Sequence, residues 1–256
     1  MIQTDLFEAP VQTELKDTVG FYLPGANRPG AFTLPPQLAA LYELSVNAFY
    51  AAIHAEMSEL PIKKEISRFV EKVLNAGGKT ISGKLADDRA AAEQAASDRG
   101  DPDVMTVLKA AGRVQHEIHR ITGFLRFRAE PEFSSEPASG PAADGVYTAH
   151  CSPDYFILPA LARHFTLRFG ETPWAIIDEK RKLCLYRKAG GQAMLIRAEE
   201  AGAVPAALAG GKDRKDFWED LWRLYHRSIN NESRKNPGIQ RQFMPERYRK
   251  YLSELK

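Results

Sequence analysis

The chain has 256 residues, 44% of them hydrophobic and 27% charged, which is enough apolar material for a packed core and excludes an intrinsically disordered chain. A net charge of +2, from 35 Lys and Arg against 33 Asp and Glu, excludes a uniformly basic protein. The opening MIQTDLFEAPVQTELKDTVG has acids where a secretory signal has basic residues, and no stretch approaches the ~20 apolar residues of a membrane span, so a cytoplasmic protein without membrane attachment is expected.

Residues 1–35 include VGFYLPGANRPGAFTLPP, too rich in Pro and Gly for a long helix, and read as an irregular arm that packs through Phe21, Tyr22, Leu23 and Phe32. From Pro36 the pattern turns helical: Leu38, Leu41, Ser45, Phe49, Ala52 and Ile53 fall on one face until Pro61 interrupts. A second helix carries Ile62, Ile66, Phe69, Val70, Val73 and Leu74 and stops at Gly77-Gly78. The alanine-rich DDRAAAEQAASDRG reads as a weakly anchored helix. Asp101 or Asp103 then caps a longer one with Val104, Leu108, Ala111, Gln115, Ile118 and Ile121 at helical spacing.

At 123–128, GFLRFR alternates and predicts a strand, with Phe124, Arg126 and Arg128 on one side. A Pro-, Ser-, Ala- and Gly-rich flexible loop over 130–145 separates it from VYTAHC, a second alternating segment expected to pair with the first. Ser152-Pro153-Asp154 has the form of a helix start, and YFILPALARHFTLRF follows, with Pro159 awkwardly placed near its first turns. WAIID, LCLYR and AMLIR, parted by short polar turns, predict antiparallel hairpins, with Trp174 in the core. An Ala- and Gly-rich connector over 199–213 leads to KDFWEDLWRLYHRSI, an amphipathic helix expected to turn Phe217, Leu221 and Leu224 inward. The fold class is therefore α+β: an irregular arm and helical unit over 1–122, then a small antiparallel sheet flanked by helices over 123–256.

The charge is unevenly spread. From His226 to Lys256 eight Lys and Arg face three acids, so this segment carries +5 while the rest of the chain sums to −3. Such asymmetry predicts a surface for phosphates or for an acidic partner. Arg227, Arg234, Lys235, Arg241 and Arg247 can neutralise phosphates, and Asn236 and Gln242 can hydrogen-bond sugar, phosphate or base edges. Phe243, Tyr248 and Tyr251 offer stacking surfaces, though Phe243 is expected rather to pack in the core. Asn236-Pro237-Gly238 reads as a turn that joins two helices rigidly, its glycine supplying a positive φ.

Strings within the second half, GFLRF at 123–127, HFTLRFGETPWAIIDEKRKLCLYR from 164 and SRKNPGIQRQFMPERYRKYLSEL from 233, resemble a bacterial family assigned to DNA metabolism and repair. That family contains a domain of unknown function, is typically encoded beside a radical-SAM protein and is in some bacteria fused to a uracil-DNA-glycosylase-like domain. The resemblance spans roughly residues 100–256 and implies nucleic-acid metabolism, with DNA or RNA and a radical-SAM protein as partners.

An enzymatic alternative rests on His164 and Arg168, which share a helix face; with Asp178 they would place an imidazole, a guanidinium and a carboxylate together for acid–base work on nucleic acid. A third reading is a non-enzymatic interaction partner whose basic tail docks on an acidic protein surface. No cofactor or metal is indicated. Cys151 and Cys184 are far apart and lack CxxC spacing, and His116-Glu117-Ile118-His119 places its histidines three apart where HExxH needs four.

Overall fold

The computed structural model describes residues 36–78, 85–130, 146–197 and 217–252. The arm over 1–35, nearly all of the 130–145 loop and the 199–213 connector, for which sequence expectations were stated, lie outside the described residues. The chain divides into two compact units, Met1–His119 with Asp154–Ile157, and Arg120–Pro153 with Leu158–Lys256.

The first unit is helical. What the periodicity predicts as one helix from Pro36 is two, α1 (Pro36–Leu44) and α2 (Val46–Met57), because Ser45 is extended and its Oγ accepts the Ala48 amide as an N-cap. Helix α3 (Lys63–Gly77) buries Ile66, Phe69, Val70 and Val73 on one stripe. Each of these side chains contributes roughly 1.5–3 kcal/mol on leaving water. Gly77 allows a close approach, since a Cβ there would lie 2.8 Å from Leu44 Cδ1. Helix α4 (Leu85–Ala96) buries only Ala92 and Ala96. Polar ties hold it instead, with the Ser45 hydroxyl donating to Glu93 at 2.7 Å and Arg89 Nε to the Glu43 carbonyl at 2.9 Å.

Helix α5 (Pro102–Phe124) is capped by Asp101, whose Oδ1 accepts the amides of Asp103 and Val104. It runs through residues that alternate like a strand. Ile121 and Leu125 are both buried, and the Leu125 amide still donates to the Ile121 carbonyl, so a four-residue apolar repeat prevails over the two-residue one. Strand β1 is consequently only Arg128–Glu130.

In the second unit five strands lie in the order β1-β2-β3-β4-β5, with β2 Val146–Cys151, β3 Trp174–Asp178, β4 Leu183–Arg187 and β5 Ala193–Arg197. Pairings β1–β2, β3–β4 and β4–β5 are antiparallel, but β2 and β3 run parallel, so the sheet is mixed where an antiparallel one was expected. The cause is the connection: helix α6 (Leu158–Phe169) crosses between β2 and β3, and a helical crossover returns the chain to the same end of the sheet. Helix α6 packs on β3, β4 and β5, and Phe165, Phe169, Phe127, Tyr147 and Trp174 meet at ring separations of 4.7–6.4 Å. Trp174 is in the core as predicted. The fold is α+β.

Ser152-Pro153-Asp154 does not start a helix. The amides of Asp154 and Tyr155 donate to the buried Glu117 carboxylate at 3.0 and 2.9 Å, and the Phe156 amide to the Met57 carbonyl, so these amides are already satisfied outside a helix. Helix α6 begins at Leu158, which puts Pro159 in the first turn, where its missing N–H costs nothing. Gly170, at φ +56°, ends it, and its carbonyl accepts Arg187 Nη1.

Candidate functional site

The chain ends in helix α7 (Phe217–Ile229), a 3₁₀ turn (Glu232–Arg234), helix α8 (Pro237–Phe243) and the single turn α9 (Glu246–Arg249). The bend before α8 follows from local chemistry. Asn236 precedes proline and is extended (φ −129°, ψ 90°), its Oδ1 accepts the Ile239 amide at 3.1 Å, and Pro237 occupies the first helical position. Gly238 lies inside the first turn of α8 and has no positive φ, so cap and proline set the corner without it. The Asn236 side-chain oxygen is committed to that cap.

This segment is anchored from its far end. Tyr248 is 2% exposed and packs on Phe124 at 5.6 Å, Leu252 is buried, and the Arg247 guanidinium lies 4.7 Å over the Tyr248 ring. Tyr248 is therefore core and offers no face to a base, and Arg247 is spent on its ring and, through Nη2, on its hydroxyl at 3.2 Å. Tyr251 donates to Glu179 Oε2 at 2.6 Å, Lys250 Nζ stands 3.4 Å from the same oxygen, and His150 Nδ1 is 3.3 Å from Oε1. Burial works to raise the Glu179 carboxyl, but Tyr251, Lys250 and His150 outweigh it and hold the group below its usual range. Burial first, and Glu179 second, push the Tyr251 hydroxyl up.

Ahead of the anchor the surface is open. Arg227, Arg234, Lys235, Arg241 and Gln242 are exposed, and Arg227, Arg234 and Arg241 form no ion pair with a carboxylate among the described residues. Helix α8 buries none of its side chains. Phe243 is 62% exposed, against the expectation of a core position, and Leu221 and Leu224 are exposed rather than turned inward. The sequence reading failed here because helical amphipathicity shows that a stripe exists, not that anything covers it.

Asp178 is not available to the expected acid–base trio. Asp178 is 0% exposed at the end of β3, where it accepts the amides of Lys180 and Arg181 and pairs with Arg181 Nη1 at 3.0 Å. It organises the β3–β4 turn. His164 and Arg168 do share an exposed face of α6, and partial burial together with the Arg168 charge lowers the imidazole pKa. Glu117, the acid of the His116 to His119 string, is occupied by the amides of Asp154 and Tyr155. Among the described residues no cluster of His, Cys, Asp and Glu suited to a metal ion occurs, and no helix is long and apolar enough to cross a membrane.

Fold and surface together define an α+β protein whose mixed-sheet unit ends in a basic, aromatic helical segment. The chain matches the model of DUF4130, a domain of unknown function, over residues 79–254, and it belongs to that family. The match takes in GFLRF, HFTLRFGETPWAIIDEKRKLCLYR and SRKNPGIQRQFMPERYRKYL. No curated protein and no solved structure matches the chain.

Proposed function

We propose that this protein binds nucleic acid through the exposed cations between Arg227 and Arg241 and serves DNA repair or modification beside a radical-SAM partner. One observation carries the binding: the Arg227, Arg234 and Arg241 guanidinium groups and the Lys235 ammonium stand exposed on consecutive short elements, while Glu246 is engaged by Arg249 and Glu179 by Tyr251 and Lys250. A row of cations with few competing carboxylates suits a polyanion, which releases its counterions on binding. The resemblance to DNA metabolism proteins supplies the cellular setting and the partner.

The test is fluorescence anisotropy with labelled DNA across a salt series, comparing the wild-type chain with one carrying Arg227→Gln, Arg234→Gln, Lys235→Gln and Arg241→Gln. All four positions are exposed, and folding of the variant is checked by circular dichroism. Affinity is expected to drop at least about tenfold and the slope of log K against log salt to shrink by up to about 3. Equal affinity and slope in the two proteins refute the reading. Retention of a radical-SAM protein on the immobilised chain tests the partner separately.

A further inference from the structure

From Val104 to Gly123 helix α5 exposes Lys109, Arg113, Gln115, His116, His119 and Gly123, and neither a carboxylate nor a large apolar side chain. The two acids of this helix are committed: Asp103 accepts Arg68 Nε at 2.8 Å and Nη2 at 2.7 Å, and the buried Glu117 accepts the amides of Asp154 and Tyr155. Lys109, Arg113 and His116 are four and three residues apart, so they stand in one row about 10 Å long on a single helix face. Other cations of the same unit find carboxylates, Lys72 on Asp101 at 2.6 Å and Arg89 near Glu43 at 3.9 Å. Lys109 and Arg113 form no ion pair among the described residues.

We infer that this row on α5 is a second contact surface for nucleic acid, Lys109 and Arg113 taking phosphates and His116 hydrogen-bonding the sugar–phosphate backbone. This rests on the proposed binding of nucleic acid and adds a surface in the first unit. An acidic protein partner fits the row less well, because protein interfaces are organised around buried aromatic and apolar anchors and this face offers none. A phosphate backbone asks only for cations and hydrogen-bonding groups. With no exposed Phe, Tyr or Trp on the helix, the contacts go to the backbone and not to bases, so single strand and duplex both use it.

The experiment uses the full chain and fluorescence anisotropy with a labelled duplex and a labelled single strand, each across a salt series. The double variant Lys109→Gln, Arg113→Gln keeps good helix formers at two exposed positions. A control, Lys63→Gln with Lys64→Gln at the start of α3, removes the same charge elsewhere in the unit. Folding of both is checked by circular dichroism. The α5 variant is expected to bind either nucleic acid roughly 3- to 30-fold more weakly, with the slope of log K against log salt smaller by up to about 2, while the control binds as the wild type does. Wild-type affinity in the α5 variant, or an equal loss in the control, overturns the inference. The variant of Arg227, Arg234, Lys235 and Arg241 tests the other surface separately, so either can fail alone. No binding by the wild-type chain ends both. Labelled polyglutamate held as tightly as the duplex, and released by the α5 variant, assigns the row to an acidic partner and also overturns the inference.

Discussion

Removing one oxygen from Tyr251 tests whether the C-terminal segment is fastened to the sheet. Its hydroxyl donates to Glu179 across 72 residues of chain, at a distance of 2.6 Å. A hydrogen bond to a charged group contributes about 1.5–3 kcal/mol when shielded from water. Here the Glu179 side chain is 42% exposed, so water competes and roughly 1 kcal/mol is the expected loss in Tyr251→Phe, a fall of about 3 °C in Tm for a protein of this size. Glu179→Gln and the double variant complete a cycle, measured by thermal and urea unfolding near neutral pH. The sign of the pH dependence is fixed by the carboxyl: its folded pKa is depressed, so its stabilisation is present above the unfolded value and disappears as pH falls through the folded one. Tyr251→Phe and Glu179→Gln should therefore both flatten the acid limb of the stability curve. A Tm unchanged in Tyr251→Phe, with zero coupling in the cycle, refutes the fastening.

Arg181→Ala leaves the buried Asp178 carboxylate without its guanidinium and should cost on the order of 3 kcal/mol in urea unfolding; Asp178→Asn in the same background should recover part of that loss, because a neutral amide has no charge to strand. Tyr248→Ala should cost about 3–5 kcal/mol for an emptied aromatic site, whereas Tyr248→Phe should fold normally and bind nucleic acid as the wild type does, as expected of a ring that packs inward.

Much of the fold was legible because its signals are local. The stripe of Ile66, Phe69, Val70 and Val73, the stop at Gly77-Gly78 and the three strands WAIID, LCLYR and AMLIR follow from periodicity and turn chemistry within a few residues. The direction of β3 beside β2 was not legible, since strand pairing is decided by which neighbour a crossover reaches. Neither was the engagement of Asp178, Glu117 or Glu179. A carboxylate's letter is the same whether it faces solvent or closes a turn, and the partners of Glu117 and Glu179 lie 29–72 residues away in sequence. In the C-terminal segment the basic composition identified the exposed Arg227, Arg234, Lys235 and Arg241 but could not separate Tyr248, inward, from Phe243, outward, five residues apart on a broken helical run.

The return of Asp154–Ile157 to the first unit has a consequence for how the chain is made. As it leaves the ribosome, Glu117 emerges long before the two amides that will receive its charge, 37 and 38 residues later. Until then a carboxylate destined for a dry interior lacks the two amide donors that it accepts from in the fold. Completion of the first unit around that carboxylate therefore waits for translation to pass β2.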